Sequence, residues 1–536
     1  MQPPDLQQLN PILAVGFLAF ILVRWRFHRS RLSLPPGPKP LPVIGNMHQL
    51  ARTSYQWLQL QRWSAAYGPV MHLRVAGRPL VVLSTHAAAW DLLARRGARY
   101  SDRPRLVVAV ELATRNLHGA MRPYDAAYRQ TRKLQAPLLG PPAADRYRPV
   151  QELESRQLLV DLLGEYEREG ETGQDFSPLV ERTTGSIIYA LLYGYRLKSG
   201  DDQALRDAHV VQDNFSRAAK TGAYLVDLFP VLNHLPRALA PWKAEADALF
   251  RIEADLHTAN FQKGLASPGW NFTKQFSASC EASGVPTFQT AWSVGDTSLA
   301  GLDTSSIALE WFVVACVAHG KRFVAKAQQV LDEVVGRDRL PTFEDRPRLA
   351  YIDAVVQETL RWRLVSPGGI PHLTKQEDTY MGFRIPAGSV VLPNYWAITR
   401  DASVFGADPD SFVPERWLDA DDSGSGGGIT TPLKNLPQTG FGFGRRSCPG
   451  RHVALNGLFV VVAQLLWAFE IEAAPGKEVD DTDWVDGVLV KPKHFKAVFR
   501  PRGPWVRDVL SSQQRDGEDD LVALLDRVAV GSGGKS

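Results

Sequence analysis

Residues 441–450 read Phe441-Gly442-Phe443-Gly444-Arg445-Arg446-Ser447-Cys448-Pro449-Gly450. A cysteine is most often a small buried hydrophobe, but this one has unusual neighbours. Gly442, Gly444 and Gly450 let the backbone turn tightly and approach a bulky partner closely. Pro449 and Gly450 open a strongly apolar helix, predicted over Val453–Glu470. Cys448 therefore sits at a helix N-terminus, where free N–H groups and the helix dipole favour a thiolate. Arg446, two residues earlier, can pair with an anionic group on the same ligand. A GxGxxG dinucleotide loop is excluded. Ser447 fills its third glycine position, and no strand–turn–helix unit with a downstream acid surrounds it.

A thiolate on a glycine-rich turn, with an arginine ready for a carboxylate, suits a haem. The sulfur would be the axial ligand, and the arginine would meet a propionate. The stretch closely resembles the haem-binding signature of the cytochrome P450 family, FxxGxRxCxG. Its five fixed positions should recur by chance in on the order of one such chain in ten thousand. Two further motifs strengthen the likeness. Glu358-Thr359-Leu360-Arg361, on an apolar helix predicted over Ile352–Leu364, resembles the family's ExxR helix. Pro414-Glu415-Arg416-Trp417 resembles its PERF-like segment, with Trp417 where Phe is commoner. The resemblance implies a structural Glu-Arg-Arg network of Glu358, Arg361 and Arg416. Seen alone, an i,i+3 pair such as Glu358 and Arg361 would be read as a solvated surface pair.

Ala300-Gly301-Leu302-Asp303-Thr304-Ser305 lies inside a long apolar run and resembles the family's AGxDTT segment. Ala300, Gly301 and Thr304 share a helix face by spacing, and small residues there would let a flat ligand lie against the helix. The plain alternative is a helix bend with Thr304 bonded back to the preceding turn. The resemblance implies that Asp303 and Thr304 orient water and relay protons to dioxygen. It also implies propionate contacts from Arg132, in a segment like WRxxRK where Tyr128 replaces the usual Trp, and from His372. Phe441 completes the haem-binding set. The implied cofactor is haem b with a cysteine thiolate ligand. NADPH and O₂ are implied co-substrates, and NADPH–cytochrome P450 reductase the partner, docking near Arg445 and Arg451. An alternative is a thiolate-haem isomerase or dehydratase, but such enzymes tend to lose the acid–alcohol pair kept here. A non-catalytic haem protein is a further alternative.

Composition is consistent with this reading. The chain has 536 residues, 44% hydrophobic and 22% charged, which is ordinary globular usage and not that of a disordered chain. A net charge of +4 is too even for a nucleic-acid binder. The three cysteines, Cys280, Cys316 and Cys448, are too scattered for a disulfide framework or a zinc site. The 12 histidines form no HExxH pair.

Pro11–Val23 is an uncharged apolar run, followed at once by Arg24, Arg26, Arg29 and Arg31. That asymmetry predicts a membrane anchor at residues 1–31 with the body on the cytosolic side, and not a cleavable signal. With the family resemblance, this places the protein in the endoplasmic reticulum membrane as a single-pass protein. Residues 32–45 form a proline-rich, stiff hinge. Residues 46–505 read as one mainly α haem domain with small β-sheets, of the cytochrome P450 fold. Residues 506–536 read as a polar, loosely attached tail.

Strands are predicted at Val70–Arg74, Pro79–Ser84, Thr379–Met381, Ser389–Leu392 and Gly487–Leu489. A helix is expected over His86–Gly97, and one long apolar helix from Thr287 to His319. Ser423–Gly428 reads as a flexible loop. The segments expected to meet substrate are Ser101–Arg122, Phe215–Leu239, the Ala300 region, Val365–Ile370 and Val488–Leu489. They are mostly apolar with no convergent charge, which suggests a hydrophobic small molecule.

Overall fold

The apolar run at Thr287 builds one helix of 48 residues, Thr287–Val334, longer than its composition predicted. It forms the axis of the molecule. The computed structural model describes residues 32–53, 55–220, 222–418, 438–485, 487–514 and 521–530. The expected anchor and the Ser423–Gly428 loop lie outside these residues.

The longer helices are α1 (Gln56–Tyr67), α2 (Ala126–Leu139), α3 (Arg148–Glu169), α4 (Ser177–Tyr193), α5 (Gln203–Ala219) and α6 (Pro241–Ala266). They continue with α7 (Phe272–Ala282), α8 (Thr287–Val334), α9 (Ala350–Trp362), α10 (Arg451–Ala468), α11 (Trp505–Gln514) and α12 (Leu521–Val530). Helices α8 and α10 are long and apolar enough to cross a bilayer. However, 67% and 72% of their most apolar windows are buried inside the protein, so they are core helices. Trp311, Phe312, Val313 and Val314 of α8 pack in one cluster with Phe459–Leu466 of α10 and Val355 of α9.

The sheets are small, as expected. The main one has strand order β1-β2-β6-β3, from β1 (Val70–Val75), β2 (Arg78–Leu83), β3 (His372–Leu373) and β6 (Val390–Pro393). β1 and β2 are antiparallel through a tight turn, and β2 runs parallel to β6. Strands β4 (Asp378–Tyr380) and β5 (Phe383–Ile385) form a hairpin, and β7 (Phe469–Ala473) pairs with β10 (Ala497–Pro501).

The structure corrects four expectations. Gly487–Leu489 is not a strand; it lies in the turn between β8 (Trp484–Val485) and β9 (Lys491–Pro492). The helix from His86 does not end on Gly97. It widens over Trp90–Arg95, and Gly97 starts a further short turn. The stiff hinge does not stand apart from the body, because its backbone is used by the sheet. The N–H of His72 donates to the Pro36 carbonyl at 2.9 Å, and a side chain at Gly37 would collide with the His72 carbonyl. The tail is not loose over its described part. Helices α11 and α12 bury Val506, Leu510, Leu525 and Val528 against the body, an amphipathic pattern that its charged residues obscured.

Candidate active site

The cysteine loop is built by close backbone approach. The Cys448 N–H donates to the Phe441 carbonyl at 2.8 Å and closes the turn. Gly444 has φ +59, and a Cβ there would strike the Leu93 carbonyl, so only glycine fits. Phe443 anchors the loop in a cluster with Leu92, Leu93 and Tyr395. Phe441 thus serves the loop through its carbonyl. Cys448 is half-buried. Burial pushes its thiol up, while the N–H groups of Gly450 and Arg451 and the charges of Arg132 and Arg451 pull the other way.

Around this loop the structure gathers cationic and basic groups. Arg446 donates through Nε to the Ser101 carbonyl and through Nη2 to the Arg122 carbonyl, both at 2.7 Å. Its guanidinium lies 3.9 Å from the Tyr128 ring centre, and its Nη1 is buried without a partner. Arg132 donates to the Ser447 carbonyl at 3.0 Å. His372 bonds through Nδ1 to the Tyr100 carbonyl at 2.7 Å. Burial, then the charges of Arg103 and Arg446, depress its basicity far below the ordinary value. The Tyr128 hydroxyl lies 3.5 Å from the Arg445 carbonyl and also contacts Arg446, which its ring supports.

Two members of this group were missed in the sequence. Arg103 is buried and donates to the carbonyls of Ala120 at 2.9 Å and Pro371 at 2.7 Å. Burial lowers it to about 10. Arg122 is also buried, with its Nε unpartnered. The neighbouring carboxylates are engaged elsewhere. Asp102 is paired with Lys375 at 2.7 Å, and Asp125 caps α2 and reaches Arg122 only at 3.5 Å. Buried cations with orphaned N–H groups require an anion. A haem ligated by Cys448 would bring two propionates and so meet that requirement, and the residues present fit the group.

Opposite sides of α8 carry different functions. Leu302 and Ser298 are buried, yet Ala300 is exposed although the helix crosses the interior. Asp296, Ala300 and Thr304 therefore form a strip on the less covered face of α8, at i, i+4 and i+8. Gly301 is not part of that strip, contrary to the sequence reading. A side chain there would meet Ile188 of α4, so its small size serves helix packing. The Thr304 hydroxyl donates to the Ala300 carbonyl at 2.8 Å, the back-bonded arrangement. Its lone pairs remain free to accept. Asp303 is turned toward α5, where Oδ2 accepts from Gln212 at 2.9 Å and Oδ1 lies 3.4 Å from Nε2 of half-exposed His209. This contact raises the His209 pKa.

The Glu-Arg-Arg network forms as the resemblance implied. Both Glu358 oxygens accept from Arg361 at 2.7 Å, and Arg416 Nε adds a bond at 3.1 Å. Trp417, the departure from the family pattern, donates its indole N–H to Glu358 at 2.8 Å. Burial opposes ionisation of Glu358. The two arginines and the Val413 N–H outweigh it and hold the carboxyl below its usual range.

A second polar cluster was not anticipated from the sequence. Glu253 and His257 on α6 face Asp296 on α8, with one ligating atom from each within 4.8 Å of the others. Burial raises Glu253 to about 8 and Asp296 to about 7, and lowers His257 to about 4. A stability prediction follows for Glu253. Its folded pKa lies above its unfolded value, so the folded state loses stability as pH rises from about 4.5 to about 8. Glu253→Gln removes that penalty. We expect the variant to gain several kcal/mol over wild type between pH 5 and pH 9, roughly, with little difference at the acid end, read from urea midpoints.

Comparison with known proteins agrees with this geometry. The family model for cytochrome P450 matches residues 35–499. The chain is 37% identical over 524 residues to the cytochrome P450 monooxygenase aneD of Aspergillus aculeatus, covering 97% of this chain and 96% of that one. It is 37% identical over 530 residues to the cytochrome P450 monooxygenase drtD of Aspergillus calidoustus, covering 97% and 95%. It is 35% identical over 503 residues to the cytochrome P450 monooxygenase peniB of Penicillium patulum, covering 93% and 90%. With the cysteine loop, the buried Glu358 network and the Ala300–Thr304 strip in place, the chain belongs to the cytochrome P450 family and is a monooxygenase.

Proposed function

We propose that residues 11–23 anchor the protein in the endoplasmic reticulum membrane with its body in the cytosol. In this reading it binds haem b through Cys448 and receives electrons from NADPH–cytochrome P450 reductase. Its substrate is a hydrophobic small molecule of fungal secondary metabolism, into which it inserts one oxygen atom of O₂. The second oxygen leaves as water, with two electrons and two protons consumed. The observation that carries the reading is the set of cations around the Cys448 loop, buried Arg103 and Arg122 and half-buried Arg446, with the Nε of Arg122 and the Nη1 of Arg446 buried without a partner.

When bound, the haem supplies the oxygen chemistry. The chain supplies ligation, orientation and protons. Cys448 gives the thiolate. Arg132, Arg446, Arg103 and Arg122 would neutralise the propionates, and His372, as a neutral imidazole, would offer them a hydrogen bond. Small Ala300 would leave room for the group beside α8. Thr304, its own proton committed to the Ala300 carbonyl, would accept a hydrogen bond from a water and hold it there. Asp303 is linked to solvent through half-exposed His209, so protons enter along His209 and Asp303. Exposed Arg445 and Arg451 flank the Cys448 loop and present a basic docking face to the reductase.

The test is reconstitution of the full chain with the reductase in lipid vesicles. Substrate-dependent NADPH consumption is expected. In Thr304→Ala the water loses its acceptor, and product per NADPH should fall by about 10²-fold, with NADPH still consumed. Thr304→Ser should restore it. Equal coupling in all three proteins would remove Thr304 from the proton path.

A further inference from the structure

The cluster of Glu253, His257 and Asp296 belongs to none of the roles above. We propose that it is the recognition site for a protonated amine on the substrate, so that the hydrophobic small molecule is an amine. This rests on the monooxygenase reading and narrows its substrate class.

Three observations carry it. First, the site holds two carboxyl groups and no lysine or arginine pairs with either among the described residues; Arg122 acts on Asp296 only at a distance. Second, the groups are buried and one of them is unsatisfied. Glu253 is 5% exposed and lies 3.4 Å from His257 Nε2, and that nitrogen, on a side chain that is 2% exposed, is buried without a hydrogen bond. Asp296 is steadied by the Gly119 N–H at 2.7 Å, which leaves its second oxygen for a ligand. Such groups cost free energy until a donor reaches them.

Third, the surroundings fit a mostly apolar body next to the charge. Glu253 lines a small cavity with Ala113, Val211, Asn214, Phe215, Ala218 and Leu249. Asp296 in turn stands on the strip of Ala300 and Thr304, about 6 Å and about 12 Å away along the helix. The carbon that is oxidised should therefore lie roughly that far from the nitrogen.

The experiment titrates the purified holoenzyme with N,N-dimethyldodecylamine and with its neutral counterpart N,N-dimethyldodecanamide, following the high-spin shift of the haem Soret band. The amine is expected to bind about 10- to 100-fold more tightly. Asp296→Asn and, independently, Glu253→Gln should each abolish that preference and leave amide affinity unchanged. The ferrous–CO band of each variant reports an intact cysteine site. Equal binding of the two probes by wild type overturns the proposal. So does a preference that survives in both variants, a low-spin shift from nitrogen ligation of iron, or a preference lost on EDTA treatment. A wild-type protein without the thiolate-type CO band overturns the underlying haem-thiolate reading instead, and the two failures are thereby distinguished.

Discussion

A Cys448→Ser protein is expected to lose the red-shifted ferrous–CO Soret band and essentially all turnover. A serine hydroxyl titrates far above a thiol and does not supply the same electron density to iron. Loss of about 4 kcal/mol of transition-state stabilisation already lowers a rate by about a thousandfold, so turnover below about 0.1% of wild type is the expected outcome. The change is nearly isosteric, and the loop is closed by backbone, through the Cys448 N–H on the Phe441 carbonyl at 2.8 Å. Folding should therefore survive, and urea midpoints of the two proteins should agree within about 1 kcal/mol. Retention of the wild-type CO spectrum by Cys448→Ser would remove the sulfur from the haem.

Glu358→Gln is expected to have the largest effect on stability. Glu358 is fully buried and accepts from Arg361, Arg416, Trp417 and the Val413 N–H. Arg361 in turn donates to the carbonyls of Thr399, Pro409 and Ser411, which fixes the chain between α9 and Pro414–Trp417. Neutralising the carboxylate leaves two guanidinium groups without their counter-ion. Removing one partner of a buried pair costs about 3–5 kcal/mol, against a total stability of about 5–15 kcal/mol. The expected result is a lower urea midpoint and partial loss of haem on purification. Because the folded carboxyl titrates below its unfolded value, its contribution is present above the unfolded pKa and fades as pH falls through the folded one. The difference between wild type and variant should shrink in acid. A Trp417→Phe protein loses one hydrogen bond to Glu358, and a smaller loss of about 1–3 kcal/mol is expected for it.

Local chemistry made much of the site legible in advance. Cys448, Gly444 and Arg446 lie within one decade of residues, so their joint meaning needs no folding. Glu358 and Arg361 lie on one helical turn, and spacing alone put them on one face. Gly301 shows the limit of that reasoning. Spacing put it on the Ala300 side, but the direction of its missing side chain depends on where α4 packs. Thr304 shows a different limit. The structure shows the back-bonded arrangement to Ala300, and a hydroxyl that donates there can still accept, so spacing alone could not separate the two readings.

The sequence by itself determined the glycine-rich cysteine loop, the central apolar helix and the mainly α architecture, since each rests on neighbours in the chain or on helical period. Tertiary structure alone decided the rest. It brought Arg103 and Arg122 beside Arg446, turned Asp303 toward His209, set α11 and α12 onto the body, and joined Glu253 and His257 of one helix to Asp296 of another. Each of these meetings spans many residues of chain. Each depends on which helix faces buried each other's apolar surface, a choice made by the packing of the whole core and not by any local pattern.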